Sequence, residues 1–139
     1  IGACLARGKA AELFQPGSHG STFGGNPLAS RAALAVISIM EDQNLLERAA
    51  ELGTRLLEGF KRALTDVKGI KEFRGKGLML GIELDQDCPD LVEQAMKENL
   101  LINVTAGKVI RLLPPLILSN TEADQIVSKL SDLLKMYLC

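Results

Sequence analysis

The chain has 139 residues, of which 47% are hydrophobic and 24% are charged, and its formal net charge is −1. This composition is ordinary for one globular domain, and the length is enough to bury a core. The near-neutral balance, with no basic segment, argues against binding to nucleic acid or to an anionic membrane surface. The three cysteines, Cys4, Cys88 and Cys139, are widely spaced and form neither a metal-binding nor a redox motif. We therefore expect a cytoplasmic protein that binds no metal and keeps its thiols reduced.

The chain opens with two short segments that suit a strand and a brief helix. Residues 1–6 are small and apolar, as in a buried strand, and residues 7–14 could form a brief helix before the turn pair Pro16-Gly17. The sequence begins at Ile1 with neither Met nor a lead-in segment. We therefore expect it to be a fragment of a longer protein.

A loop rich in glycine and hydroxyl side chains comes next and leads into a long apolar segment. It contains SHGSTFGGNPLA, residues 18–29, in which Asn26 can cap a helix and Pro27 can take the first helical position. The run 28–40 is apolar on nearly all sides, which predicts a helix that is buried or packed against a partner chain. Amides and hydroxyls in a tight loop at a helix N-terminus favour an anion, and phosphate is the first ligand to consider. The alternative is that this loop is only a connector.

The remainder of the chain is predicted to alternate helices with pairs of strands. Asn44 with Glu47, and Ser119 with Glu122, have the spacing of helix-capping residues. The expected fold is α+β, a small antiparallel sheet with helices packed on one face. Residues 1–43, in contrast, do not close a core of their own. The expected elements are helices at 44–64, 89–99 and 119–138 and strands at 70–74, 77–84, 101–105 and 109–113.

Three segments resemble the class III pyridoxal-phosphate aminotransferases and occur in the same order as in that family. They are SHGSTFGGNPLA at 18–29, RGKGLMLGIE at 74–83 and IRLLPPL at 110–116. The segment LINVT at 101–105 is most similar to the members that use acetylornithine. Together these matches cover essentially the whole chain, and three segments in register are more specific than any one alone.

The resemblance implies an α/β protein of fold type I, with a large cofactor-binding domain and a small C-terminal domain. Residues 1–43 would then be the end of the large domain, formed by a strand, the glycine loop and a linking helix. Residues 44–139 would be the C-terminal small domain. The resemblance also implies pyridoxal 5'-phosphate as cofactor, amino-acid and 2-oxo-acid substrates, and a homodimer with shared active sites, whereas neither nucleic acid nor a membrane is expected as a partner.

Three residues match positions with a role in that family. Thr22 matches the hydroxyl residue that hydrogen-bonds the cofactor phosphate, reaching across from the neighbouring subunit. Ser21 matches a loop residue beside both the phosphate and the substrate. Arg111 matches the arginine that holds the substrate α-carboxylate, a role that suits a guanidinium because it is planar and always charged. His19 is given no catalytic role.

The lysine that forms the Schiff base in the family lies just before the segment matching Ile1-Gly2-Ala3 and has no counterpart in this chain. Lys9 and Lys76 stand at other positions and are predicted to be surface residues, so no catalytic residue is expected here. The resemblance implies that the parent enzyme transfers an amino group from N-acetylornithine to 2-oxoglutarate, in arginine biosynthesis. Succinylornithine, ornithine and 4-aminobutyrate are alternative donors.

Two further functions remain open from the residues. Without the Schiff-base lysine, the chain alone could be a non-catalytic folding and dimerisation module. A generic phosphate- or nucleotide-binding domain is the other, but the chain has neither a P-loop lysine nor G-x-G-x-x-G after a strand.

Overall fold

The computed structural model describes residues 1–138, which contain four α-helices, four β-strands and one short 3-10 helix at Gly8–Glu12. Cys139, one of the thiols expected to be reduced, lies outside the described residues. The chain divides into two compact units, a first unit of Ile1–Gln43 and a second unit that begins at Asn44. The helices are α1 (Pro27–Asp42), α2 (Leu45–Ala63), α3 (Leu91–Lys97) and α4 (Asn120–Leu138), and the strands are β1 (Ile70–Lys76), β2 (Met79–Leu84), β3 (Asn103–Thr105) and β4 (Val109–Leu112).

The first unit has little regular structure before α1. Residues 1–7 form neither helix nor strand and are exposed, so the strand predicted over residues 1–6 is wrong. A strand needs a neighbour to pair its backbone N–H and C=O groups, and no described segment lies beside this one. The brief helix expected over residues 7–14 is present as the 3-10 helix.

Helix α1 begins as its sequence predicts but is not buried. The side-chain Oδ1 of Asn26 accepts the backbone N–H of Ala29 at 3.0 Å, and Pro27 occupies the first helical position. None of the α1 side chains is buried, and Leu34 and Val36 are each more than half exposed. Burial of this helix within the chain is therefore a wrong prediction, and its packing against a partner chain stays a prediction.

The second unit is built on a four-stranded antiparallel sheet in the order β1-β2-β4-β3, which confirms the predicted sheet. One face of the sheet is apolar and packs against the helices α2 and α4 in a single core. This follows from the alternation of side chains along each strand. The core residues that the sheet and its first turn contribute are Leu78, Leu80, Ile82, Leu84, Ile110 and Leu112, all at most 5% exposed.

The capping predictions have different outcomes at the two long helices of the second unit. At α4 the hydroxyl of Ser119 accepts the N–H of Glu122 at 3.2 Å, and the Glu122 carboxylate accepts the N–H of Ser119 at 2.8 Å. At α2 the expected capping box is wrong, because Asn44 has a left-handed backbone (φ +52°) and its side chain makes no cap hydrogen bond. Asn is among the few residues that adopt this conformation readily, so Asn44 acts here as a turn residue.

The turn between β1 and β2 lies two residues later than expected. The sequence predicts it at Gly75-Lys76, whereas β1 continues to Lys76 and the reversal uses Gly77 and Leu78. Gly77 has a φ of +54°, which glycine adopts without the strain that a Cβ would impose. Of the helices described, none has the length and apolar character needed to cross a bilayer.

Candidate functional site

In the first unit, the glycine loop is a turn held to the start of α1. The backbone N–H of Gly24 donates to the carbonyl of Ser21 at 3.2 Å. Asn26 fixes the next step, since its Nδ2 donates to the carbonyl of Phe23 at 2.8 Å while its Oδ1 caps the helix. Gly25, with a φ of +69°, lets the chain turn from the loop into α1.

Some polar side chains of this loop hold its backbone in place, whereas others have no hydrogen-bond partner in the described residues. Ser18 accepts the N–H of Gln15 at 3.0 Å, and Asn26 is used at both ends. Within residues 1–138, the hydroxyls of Ser21 and Thr22 make no hydrogen bond to protein, and both residues are exposed. No carboxylate occurs between residues 13 and 40. Two adjacent hydroxyls without a nearby negative charge can donate to an anion.

His19 packs within the same loop. Its ring lies 6.3 Å from that of Phe14, centroid to centroid, with the ring planes tilted by 50°.

In the second unit, Arg111 lies on the sheet face opposite the core. Its neighbours along β4, Ile110 and Leu112, point into the core and are at most 5% exposed, so alternation places Arg111 on the outer face. The residues directly opposite are uncharged, Gly81 on β2 and Asn103 on β3. Among the described residues, no carboxylate lies within ion-pair distance of its guanidinium.

The other basic side chains near Arg111 surround Glu83 of β2. Lys71 and Lys108 approach its Oε1 at 3.1 and 3.8 Å, and Arg74 donates to its Oε2 at 2.8 Å. These hydrogen bonds, that of Arg74 first, hold the pKa of Glu83 below its ordinary value, although burial opposes them. The cluster was not predicted as part of a site. The alternation in 78–84 puts Glu83 on the outer face, but the strand register that places it beside Arg111 is not contained in any local pattern.

The two lysines that were predicted to be surface residues lie at the surface. Lys9, in the 3-10 helix, and Lys76, at the end of β1, are both exposed. Cys4 is exposed and Cys88 is buried. Over residues 1–138, no group of three or more His, Cys, Asp or Glu side chains is arranged to hold a metal ion. Ser21 and Thr22 thus lie in the first unit and Arg111 in the second.

A family model described as "Aminotransferase class-III" matches residues 1–134. The chain belongs to the class III aminotransferase family. This confirms the resemblance of the three sequence segments, and the α/β fold agrees with it.

Relatives of known name lie within this class III family. The acetylornithine aminotransferase 1 of Bordetella bronchiseptica is 57% identical over 138 residues, which cover 99% of this chain and 35% of that protein. The acetylornithine aminotransferase of Nitrosomonas europaea is 49% identical over the same shares. The chain therefore spans about a third of the length of the curated relatives that it matches.

A solved aminotransferase structure has the same fold as this chain. An ornithine aminotransferase from Toxoplasma gondii superposes with a TM-score of 0.84 at 33% identity, covering 95% of this chain and 32% of that one. That structure contains pyridoxal phosphate (PLP) at partial occupancy in its active site.

Proposed function

We propose that the protein to which this chain belongs is a PLP-dependent aminotransferase that moves an amino group from N-acetylornithine to 2-oxoglutarate. In this proposal residues 1–43 end the large cofactor-binding domain, and residues 44–139 form the C-terminal small domain. The support for an acetylornithine donor is the LINVT segment at 101–105 and the two acetylornithine aminotransferases at 57% and 49% identity. The T. gondii ornithine enzyme is more distant, at 33%.

The glycine loop fits the phosphate of the cofactor. A phosphate dianion offers only acceptors, and the hydroxyls of Ser21 and Thr22 are donors that no protein group uses within the described chain. The absence of carboxylates over residues 13–40 and the nearby N-terminus of the 16-residue α1 favour a negative charge. We assign the phosphate contact to Thr22, and we place Ser21 beside both phosphate and substrate. When bound, the cofactor supplies the electron sink for amino transfer, and the protein supplies binding and orientation.

The observation that carries the substrate part of the proposal is that, within residues 1–138, the guanidinium of Arg111 has no ion pair. Three nearby cations contact Glu83, yet Arg111 faces only Gly81 and Asn103 across the sheet. A planar guanidinium can hold a carboxylate by two parallel hydrogen bonds. In 2-oxoglutarate the α-carboxylate is bonded to the reacting carbon, whereas the free amine of N-acetylornithine is on its δ carbon. We therefore assign the α-carboxylate of the 2-oxo acid to Arg111.

The exposed apolar surface of the first unit supports a larger assembly. No residue of Ile1–Gln43 is buried, and α1 exposes Leu34, Val36 and Ile37 to between 52% and 57%. A helix that is apolar on nearly all sides is stable when other protein covers it. We propose that the remainder of the large domain and a second subunit provide this cover, in a homodimer with shared active sites.

A donor panel tests the proposal. The full-length protein is supplied with PLP and 2-oxoglutarate, and kcat/KM is compared for N-acetylornithine, succinylornithine, ornithine and 4-aminobutyrate. We expect N-acetylornithine to be the best donor, by at least about tenfold over ornithine, a difference of about 1.4 kcal/mol in transition-state binding. A different best donor would refute the choice of substrate. No transfer from any of the four would refute the aminotransferase proposal itself.

A further inference from the structure

Two arginines flank one glycine on the outer face of the sheet. The strand registers put Arg74 of β1, Gly81 of β2 and Arg111 of β4 in a single row across three strands. Gly81 leaves this row open between the arginines, and the Arg74 side chain partly covers it. A Cβ at position 81 would lie 3.6 Å from Cγ of Arg74 and 3.7 Å from its Nε.

Glu83 is diagonal to both arginines, and of these two it is hydrogen-bonded to Arg74 but not to Arg111. Two residues beyond Gly81 on β2, it is directly opposite Glu72 of β1 and Val109 of β4. Diagonal side chains on neighbouring strands are close enough for long residues to meet. The Nη1 of Arg74 nevertheless bridges Glu83 at 2.8 Å and Glu72 at 2.6 Å, which relieves the repulsion between these two facing carboxylates.

Both oxygens of the Glu83 carboxylate are thereby occupied by cations other than Arg111. Oε2 accepts from Arg74, while Oε1 has Lys71 at 3.1 Å and Lys108 at 3.8 Å. The Glu83 side chain is only 14% exposed, less than any of the three cations. Glu83 is the carboxylate best placed to neutralise Arg111, because β4 pairs with β2 and Glu83 extends from the same face.

We infer that Arg74 is a positioning residue, which holds Glu83 towards β1 so that the Arg111 guanidinium stays unpaired for a substrate carboxylate. This inference rests on the proposed function, since it requires Arg111 to receive that carboxylate. Removing the Arg74 guanidinium frees Oε2 of Glu83, and Arg111, which has no ion pair among the described residues, is diagonal to Glu83 on the neighbouring strand. A substrate must compete with this internal carboxylate, and its apparent affinity falls.

A purely structural role for Arg74 has a different signature. An exposed ion pair contributes little to stability, and its loss by itself leaves the ligand affinity of a separate group unchanged. The positioning role predicts that loss of Arg74 weakens ligand binding and that a second substitution at Glu83 restores it. A purely structural role predicts neither effect. Glutarate is a suitable probe, because it carries carboxylates but has neither the amino nor the oxo group that reacts.

The experiment measures the dissociation constant of glutarate by calorimetry in the full-length holoenzyme and the KM for 2-oxoglutarate. We expect Arg74→Met to raise both by about two- to fivefold. Arg74→Met combined with Glu83→Gln should restore the wild-type values, since a neutral amide does not neutralise Arg111. Arg55→Met removes an arginine that is as exposed as Arg74 and is paired with Asp124; it is the matched control and should change neither value.

The outcomes separate this inference from the proposed function. An unchanged glutarate affinity in Arg74→Met, or a loss that Glu83→Gln does not restore, would overturn the role of Arg74. Arg111→Ala is measured alongside, and if it leaves glutarate affinity unchanged, the carboxylate role of Arg111 itself fails. Should Arg74→Met not fold, Lys71→Met with Lys108→Met frees Oε1 instead. That pair should weaken glutarate binding in the same direction, and unchanged binding there would equally contradict the inference.

Discussion

At the scale of single residues, the two proposed sites share one property: each contains a polar side chain that has no partner among the described residues. Asn26 and Ser18 satisfy the backbone of the glycine loop, so the hydroxyls of Ser21 and Thr22 remain unused within the described chain. Gly81 and Asn103 flank Arg111 without offering a charge. Groups arranged in this way are prepared for a ligand, because binding breaks no protein contact.

The phosphate contact of Thr22 can be tested by Thr22→Val in the full-length protein. The substitution keeps the shape of the side chain and removes one hydrogen bond to a charged group, which should cost about 1.5–3 kcal/mol. We expect PLP affinity, followed by fluorescence titration, to fall by about ten- to a hundredfold. Ser18→Ala is the control, because the Ser18 hydroxyl accepts the backbone N–H of Gln15. The PLP affinity of this variant should stay within about twofold of that of the wild type. Unchanged PLP affinity in Thr22→Val would contradict the assignment of the phosphate contact to Thr22.

Tyr137 allows a direct test of the second unit through its titration. Its hydroxyl donates to Oδ1 of Asp90 at 2.7 Å, and this bond, with burial and the Asp90 charge, raises the pKa of Tyr137 from 10.0 to about 12. A raised pKa means that the neutral phenol is favoured in the folded state. Its stabilising contribution is therefore complete below about pH 10 and is lost as the pH rises through about 12.

The measurement is the near-ultraviolet absorbance of tyrosinate, which is unambiguous because the chain has one tyrosine and no tryptophan. We expect the folded chain to titrate near pH 12 and Asp90→Asn to titrate closer to the ordinary value. Circular dichroism at each pH verifies that the chain is still folded. A midpoint near 10 in the folded wild type would mean that the link between α4 and α3 is not formed.

At the scale of elements, the approach of α2 to the β1–β2 turn depends on a glycine. A Cβ added to Gly53 would collide with the backbone carbonyl oxygen of Gly77, which cannot move without displacing the turn. At Gly59, on the same helix, the nearest atom is Cγ2 of Val127 at 2.9 Å, the end of a side chain. Gly53 and Gly59 are therefore a matched pair of positions on one helix, of which only Gly59 is expected to tolerate an added Cβ.

We expect Gly53→Ala to lower the free energy of unfolding by about 2 kcal/mol or more, as in other overpacked sites. Gly59→Ala should remain within about 1 kcal/mol of wild type, because the gain in helix propensity offsets a small side-chain adjustment. Urea denaturation of both variants measures the difference. Equal free energies of unfolding for the two variants would show that α2 does not pack closely against the β1–β2 turn.

Local sequence patterns predicted most helices and strands of the second unit. They failed at features that depend on residues distant in the sequence. The buried alternation of Leu78, Leu80, Ile82 and Leu84 identified β2 and its core face, and Ser119 with Glu122 identified the start of α4. The same capping logic failed at Asn44, because this residue has a left-handed backbone and not the extended one that a capping residue usually has. Which residues lie opposite Arg111 could not be predicted, since register is a property of paired strands.

At the scale of the whole molecule, the two units differ in how completely they are folded by their own residues. The second unit has a continuous core, whereas the first has no buried residue. Sequence reasoning predicted an apolar α1 correctly but could not say what covers it. The segment at residues 1–6 suits a strand by composition, yet composition does not provide a neighbouring strand.

The most direct test of the account is steady-state kinetics of Arg111→Ala in the full-length protein, with the amino donor and 2-oxoglutarate varied in turn. The 2-oxo acid presents its α-carboxylate to this guanidinium. We therefore expect kcat/KM for 2-oxoglutarate to fall by a factor equivalent to about 2–5 kcal/mol of transition-state binding, with PLP affinity near normal. Arg111→Lys should be impaired less, since it keeps the charge and loses the planar fork. An unchanged kcat/KM for 2-oxoglutarate in Arg111→Ala would contradict the assignment of Arg111 to the substrate carboxylate.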